Sequence, residues 1–441
     1  MMRRLALLAA LAVLVAACGS TGESTTTGTP TTSSPEAVQT TVPFQNGELA
    51  RLDVPRDVPS VSDADIAAVT KADAAFGLDL LRATAGDDNL MLSPYSIATA
   101  LSMLYPGAKG ATAQEIAAVL HLDVPDETLH AVRNAIETAL SAEPTSAGPD
   151  DERQPFVVHP ANSAWGQGGY PFLDDYLRVL ASQYGAGLRL VDFINDPQGA
   201  TDTINAWVED ATENRIKDLI PDGDIDPTTR LVLVNAIWFY ANWAEQFDPD
   251  LTSNDPFTLA NGEKVTVPMM HQSLEAEYGS NAVFEAVRVP YAGDASMIIA
   301  LPKSRSLADT IAATRAEDLD INWSEAQVDL SVPSFQFDSD VSLKDALEQL
   351  GMIQAFDPAT ADLTGITAAR ELFVSDALHK TFIAVDETGT EAAAATALIM
   401  RLSAARVGEP ITFTADRPFL FWIEQNSTGE MLFLGQVTDP R

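Results

Sequence analysis

Cysteine is almost missing from this chain: among 441 residues there is one, Cys18. A disulfide framework and a cysteine-ligated metal are thereby excluded. Basic charge is also scarce, with 26 Lys and Arg against 63 Asp and Glu and a formal net charge of −37. No segment gathers the few Lys and Arg into a patch, so nucleic acid, heparin-like polyanions and anionic lipid surfaces are poor partners. The five histidines (His121, His130, His159, His271 and His379) are scattered without ligand spacing and offer no metal cage. HExxH, SxxK, GxSxG, P-loop and GxGxxG motifs are all absent from the mature chain. Acidic residues are too numerous for any pair to signal general acid–base work. Nothing here points to an enzyme, and no cofactor or metal is expected.

What is present begins at the N-terminus. Met1, Arg3 and Arg4 precede an apolar run from Leu5 to Ala17, too short to span a bilayer as a permanent helix and suited to a signal peptide over residues 1–17. The run ends Val15-Ala16-Ala17-Cys18, which resembles a bacterial lipobox with Cys18 as the lipidated first residue of the mature protein. With Cys18 acylated, no thiol is left for catalysis. Residues 18–62 are rich in Ser, Thr, Gly and Pro, as in Ser24 to Pro35, and read as a tether. The expected location is outside the cytoplasm, lipid-anchored to the cell envelope or extracellular, with the lipid as the only membrane contact. Residues 63–441 contain no second linker of that composition.

Along this folded part, Ile66, Val69, Ala72, Phe76 and Leu80 have the spacing of an amphipathic helix over Asp63 to Ala85. Ser93 as cap and Pro94 at the first helical position start a second helix, with Ile97, Leu101 and Leu104 as its apolar stripe; Gly107 and Gly110 end it. Further helices are expected at Ala113 to Leu120, Pro171 to Tyr184 and Thr201 to Ile220. Arg230 to Tyr240 is an almost continuous apolar run, suited to a strand covered on both faces, within which Asn235 must find buried partners. Val287 to Val289, Ser296 to Leu301, Gln327 to Val332 and Thr381 to Val385 read as strands. Phe419 to Glu424 and Met431 to Val437, joined by Asn426 to Gly429, form a predicted hairpin. Helices first and strands later, without regular alternation, indicate an α+β fold.

One stretch fits an ordinary fold poorly: Gly389-Thr-Glu-Ala-Ala-Ala-Ala-Thr-Ala-Leu-Ile-Met400. Alanine favours a helix. Laid out as a strand, however, its even positions (Thr390, Ala392, Ala394, Thr396, Leu398, Met400) are small or apolar, while the odd ones carry Glu391 and Arg401. Only one register gives a face that can be buried. Glu387 to Thr396 resembles the hinge of inhibitory serpins nearly residue for residue. Asn235 to Trp243 with Phe247, Phe413 to Ile423, Asn89 to Gly110, Ile204 to Ile220 and Ala361 to Lys380 resemble further motifs of that family, in order. The resemblance covers roughly Ala67 to Arg441 and makes residues 63–441 one large domain.

The resemblance implies the serpin fold, helices with three β-sheets and an exposed reactive loop able to insert into the largest sheet. The implied activity is suicide inhibition of a serine or cysteine endopeptidase by a monomer. The hinge would comprise Glu387, Gly389, Thr390, Glu391, Ala392, Ala393, Ala394, Ala395 and Thr396. Ser93, Ser96, Asn235 and His379 resemble the family's shutter beneath the sheet, although each also reads as an ordinary core or capping residue. Trp243 resembles the tryptophan of the breach at the sheet's top. Family geometry places the attacked bond between Ser403 and Ala404, which suits elastase- or subtilisin-like proteases with a shallow or apolar primary pocket. Thr388 departs from the charged residue many members carry there, and Ser141 to Gln154 reads as an enlarged surface loop. Two other classes stay open: a non-inhibitory serpin acting as carrier or chaperone, and an unrelated envelope solute-binding protein or hydrolase.

Overall fold

The computed structural model describes residues 44–141, 157–303, 306–368, 370–390 and 409–441. Its elements, in chain order, are β1 (Glu48–Ala50), α1 (Asp63–Thr84), β2 (Leu90–Leu92), α2 (Pro94–Leu104), α3 (Gly110–Val119), α4 (Asp126–Leu140), β3 (Val157–Gln167), α5 (Asp174–Tyr184), β4 (Leu188–Val191) and α6 (Pro197–Ala211). They continue with β5 (Leu231–Asn242), β6 (Ser253–Thr258), β7 (Lys264–Ser280), β8 (Phe284–Pro290), β9 (Ala295–Pro302), α7 (Leu307–Ala313), β10 (Ser324–Pro333), β11 (Phe335–Ser342) and α8 (Leu343–Leu350). The chain ends in β12 (Asp376–Val385), β13 (Gly389–Thr390), β14 (Ile411–Thr414), β15 (Phe419–Gln425) and β16 (Met431–Val437). Helices and mixed sheets together make the α+β fold.

Two sheets carry it. The seven-stranded one has the order β1-β4-β3-β5-β13-β12-β11, and the nine-stranded one runs β14-β10-β7-β8-β9-β15-β16-β2 with β6 on β7. The three sheets expected from the resemblance are joined here as two hydrogen-bonded sets, because the 17-residue β7 is long enough to pair with β6 and β10 and to carry on to β8. The apolar run in β5 is buried along nearly its whole length, as a strand covered on both faces must be. α2 packs under the seven-stranded sheet and is buried at every position, which explains why its sequence shows little polar face.

Two expectations need correction, and one helix was missed. The helix expected over Thr201 to Ile220 stops at Ala211: the Thr212 hydroxyl donates to the Val208 carbonyl and accepts from the Ile216 N–H, and Glu213 and Asn214 adopt positive φ. Ile216, Leu219 and Ile220 mimic helical spacing but are buried through an irregular turn. α4 went unrecognised, although Leu129, Val132 and Ile136 form its buried stripe. Residues 44–62, expected to belong to the tether, pack on the domain instead. β1 pairs antiparallel with β4, Phe44 lies against Gly168, and Arg56 donates to Asn134 and Glu137 of α4.

Where α1, α2, α4 and α5 meet the turn before β16, the core is polar. Arg133 is 1% exposed and donates to both carboxylate oxygens of Asp73, with Nη2 to Oδ1 at 2.7 Å, and its Nε donates to Ser102. Glu430 is fully buried beside this pair, and its carboxyl lies within hydrogen-bond reach of the Asp73 carboxylate. One guanidinium cannot neutralise two buried carboxylates, so the pair must retain a proton. Burial first, then the Asp73 charge, holds the Glu430 pKa well above the ordinary value, while Arg133 pulls the other way. A carboxyl whose folded pKa is raised costs stability as pH rises from its unfolded value of 4.5 through its folded value. Glu430→Gln removes that titration. Urea unfolding from pH 4 to 9 should show the variant gaining on the parent as pH rises above 4.5, with no such divergence if Glu430 is ionised in the fold.

Candidate functional site

β5 and β12 lie side by side and parallel over six pairs, from Asp376 opposite Val232 to Thr381 opposite Ile237. Above that point they part. Gly389 and Thr390 enter the gap as β13, Gly389 opposite Asn242, and Thr390 opposite Ala241 on one side and Val385 on the other. Gly389 is required for steric reasons: a Cβ there would lie 2.1 Å from the Ala241 carbonyl oxygen and 2.6 Å from the Asn242 Cα.

The entry is held by a polar turn. The Asp386 N–H donates to the Gly389 carbonyl at 2.9 Å, and its Oδ1 accepts from the Thr388 and Gly389 N–H groups at 2.8 and 3.2 Å. Thr390 is 1% exposed, and its hydroxyl shares a 2.7 Å hydrogen bond with the Tyr291 hydroxyl. Tyr291 in turn stacks on Trp243, with ring centroids 4.5 Å apart and planes 7° from parallel. Trp243 Nε1 donates to the Asp386 carbonyl at 2.9 Å, its backbone N–H donates to the Thr388 carbonyl, and the Phe247 N–H donates to the Glu387 carbonyl. The Thr252 hydroxyl donates to Glu387 Oε1 at 2.6 Å. Trp243, Glu387, Gly389 and Thr390 are thus brought together at one end of the seam.

Lower down, on the face toward α2, lies a second polar group. Ser93 Oγ donates to the Leu432 carbonyl at 2.6 Å and accepts from the Ser96 N–H at 3.2 Å, so it serves as helix cap and β16 contact together. The Ser93 N–H donates to His379 Nε2 at 3.0 Å, which leaves the ring proton on Nδ1, where it meets Asn235 Oδ1. Asn235 Nδ2 donates to Ser96 Oγ and to Asn162 Oδ1, both at 2.8 Å, and Ser96 Oγ donates to Asn162 Oδ1 at 2.6 Å. His379 and Asn235 are register partners across the seam. Burial lowers the His379 pKa to about 3, only partly opposed by its hydrogen bond with Asn235, so the ring is neutral.

The structure therefore assembles Ser93, Ser96, Asn235 and His379 into one network. Asn162 of β3 completes it and went unread in the sequence, since its only signal is a register opposite Asn235 that pattern alone does not reveal. Tyr291 was missed likewise; it lies beyond the end of β8, with no periodicity to mark it. Cys18, Glu391, Ala392, Ala393, Ala394, Ala395, Thr396, Ser403 and Ala404 lie outside the described residues. Among the described residues no cluster of His, Cys, Asp and Glu could hold a metal ion, and no helix is long and apolar enough to cross a membrane.

A gap in a parallel strand pair, with the start of a further strand lodged in it, is an uncommon arrangement, and known proteins share the fold that contains it. Residues 71–440 match the family described as serpin, serine protease inhibitor. An uncharacterized serpin-like protein of Thermococcus kodakarensis is 35% identical over 448 residues, covering 100% of each chain. The leukocyte elastase inhibitor of Homo sapiens is 34% identical, covering 84% of this chain and 99% of its own. Among solved structures, the thermophilic serpin tengpin in the native state superposes with a TM-score of 0.78 at 27% identity, covering 90% of this chain and 100% of that one. The chain belongs to the serpin family.

Proposed function

We propose that this serpin is an exported suicide inhibitor of serine endopeptidases, with cysteine endopeptidases as a second target class, and that it is not itself an enzyme. The reading rests above all on Gly389 and Thr390, lodged between β5 and β12, and on the sequence after them, which laid out as a strand would have one small or apolar face. A protease would take the Ser403–Ala404 bond as substrate. Its serine oxygen adds to the Ser403 carbonyl carbon, the peptide bond breaks, and the Ala404 nitrogen leaves with the proton. What is left is an ester between protease and Ser403. Residues 391–403 then enter the seam behind Thr390, carrying the acylated protease away before water can hydrolyse the ester.

The driving force follows from the same residues. A full strand adds hydrogen bonds worth about 1 kcal/mol each and buries apolar area at about 25 cal/mol per Å², together on the order of 10 kcal/mol. Ala392 to Ala395 suit such entry because small side chains pass between β5 and β12 without clash. The small Ser403 fits an elastase- or subtilisin-like pocket, and the human relative bears the name leukocyte elastase inhibitor. The lipobox-like Cys18 would anchor the inhibitor to a membrane as a monomer, with residues 18 to about 43 as the reach of the tether.

Four measurements test this. Cleavage at the Ser403–Ala404 bond should raise the melting temperature sharply, the reverse of nicking an ordinary loop, and Thr390→Arg should raise the stoichiometry of inhibition tenfold or more. Arginine would have to bury its charge where the Thr390 hydroxyl now meets Tyr291, and about 1.4 kcal/mol on the insertion step is already tenfold in the partition. A Thr390→Arg chain that still forms covalent complex at unchanged stoichiometry removes insertion as the mechanism. Mass spectrometry of the C-terminal fragment released by subtilisin or pancreatic elastase should find Ala404 as its first residue; Leu402 or Val407 there would move the target to trypsin-like enzymes. Cys18→Ser should release the protein from membranes, and a variant that still sediments with them would disprove the anchor.

A further inference from the structure

The nine-stranded sheet, which does not contain the seam, carries a polar group of its own. β6 pairs with β7, and β7 pairs on its other edge with β10. His271 of β7 and Ser331 of β10 are direct cross-strand partners. β14 continues the sheet beyond β10, with Thr414 opposite Ser331. A side chain on the middle strand, β7, can therefore reach groups on both neighbours.

His271 does so. Its Nε2 lies 2.9 Å from Asp255 Oδ2, on β6, and its Nδ1 lies 2.9 Å from Ser331 Oγ, on β10. A carboxylate only accepts, so the ring proton sits on Nε2 and donates to Asp255. Nδ1 is then an acceptor, and the Ser331 hydroxyl donates to it. Ser253 Oγ donates to the same Asp255 oxygen at 3.1 Å and lies 3.2 Å from His271 Nε2, which holds the carboxylate against the ring.

A serine hydroxyl donating to an imidazole whose other nitrogen is held by a carboxylate is poised as a nucleophile, whatever fold carries it. Other described histidines lack one part. His379 is buried and meets an amide, His130 is buried and meets the Tyr184 phenol, and His121 has the Asp79 carboxylate without a serine hydroxyl among the described residues. The His271 and Asp255 side chains are 33% and 38% exposed and Ser331 is half-buried, so a small molecule can reach the hydroxyl. An oxyanion hole is not built beside it. β10 is paired on both edges, so its peptide N–H groups around Ser331 are committed to the ladders with β7 and β14. Attack by Ser331 therefore needs an ester with a good leaving group, and hydrolysis of the resulting acyl-serine, a poorer ester, is slow.

We propose that Ser331 is a self-acylating residue, activated by His271 and Asp255, which takes an acyl group once from a small activated ester. The Ser331 oxygen bonds to the ester carbonyl carbon, and the bond from that carbon to the leaving oxygen breaks. The hydroxyl proton passes to His271 Nδ1 and from there to the leaving oxygen, which departs as an alcohol or phenol. Asp255 stays ionised and stabilises the imidazolium in between. The product is an acyl ester on Ser331, formed once per chain, so the chain is modified and does not turn over. The inference stands apart from the insertion reading, since none of the three residues lies on β5, β12 or β13.

The probe is p-nitrophenyl acetate, mixed with the full chain. Nitrophenol release should stop after a single equivalent per chain, and mass spectrometry of a digest should find the acetyl group on Ser331. Ser331→Ala should lose both signals. His271→Gln keeps a polar partner for Ser331 but no base, and should acylate about a hundredfold more slowly, the loss expected on removing a general base. Asp255 acts through the ring as a positioning residue. Asp255→Ala should slow acylation about tenfold or more and let the Nδ1–H tautomer of His271 appear in the nitrogen-15 NMR spectrum, which a merely structural role would not do. Melting temperatures close to the parent's show that the variants are folded. Acetylation of lysines or other serines as fast as Ser331, or equal rates in the parent and a folded His271→Gln chain, overturn the proposal. Steady nitrophenol release past one equivalent that Ser331→Ala abolishes overturns it as a single-step modification.

Discussion

The structure depends on a parallel strand pair that is shut at one end and wedged at the other. β5 and β12 exchange backbone hydrogen bonds over six pairs and then diverge around Gly389 and Thr390. A parallel pair inside a covered sheet would ordinarily close along its whole length, since each unpaired peptide group it buries carries a desolvation cost. Here the opening is filled by the chain's own next residues. The Gly389 approach to Ala241 and the buried hydroxyl contact of Thr390 with Tyr291 leave no room for a larger or charged occupant.

The two faces of the seam are built in different ways. On the α2 side, His379, Asn235, Asn162, Ser96 and Ser93 satisfy one another through hydrogen bonds. On the α6 side the contacts are apolar: Ala200, Ile204 and Val208 of α6 pack with Val232, Val234 and Ala236 of β5 and Leu378 of β12. The neutral His379 suits its side. Burial has driven its pKa down to about 3, so over most of the pH range the ring can accept from Ser93 and donate to Asn235 without an unpaired charge beneath the sheet.

Much of this was legible in the sequence, and what escaped it has physical reasons. α2 was readable because Ser93, Pro94 and the glycines that follow it are local signals that need no tertiary information. β5, β15 and β16 were readable because burial on both faces leaves an unbroken apolar run. The chain after Ala211 was misread because Ile216, Leu219 and Ile220 keep helical spacing while their backbone is bent by contacts with β5 and β12, which no local pattern encodes. Residues 44–62 were misread for the opposite reason. Their polar composition suggested a tether, but β1 pairs through backbone groups that any composition supplies. At the site, Asn235 could be marked as a buried polar residue in need of partners, but the identity of Asn162 and Tyr291 as partners required the register of β3 and the end of β8.

The proposed insertion would open the seam, and that puts a requirement on the contacts that close it. Apolar side chains interlocked across it would leave a cavity on separation, with the transfer and packing losses that accompany one. A hydrogen bond between Asn235 and His379 can instead be exchanged for bonds to an arriving backbone, whose N–H and C=O groups need partners themselves, and the net cost of such an exchange is small. The same reasoning explains why the network lies where the pair is still closed, below Thr390, while the wedge above it is stabilised by aromatic stacking of Trp243 on Tyr291. Polar contacts at the opening line and rigid aromatic packing at its mouth are what the proposed insertion requires, since they would let the strands separate along one path while the mouth keeps its shape.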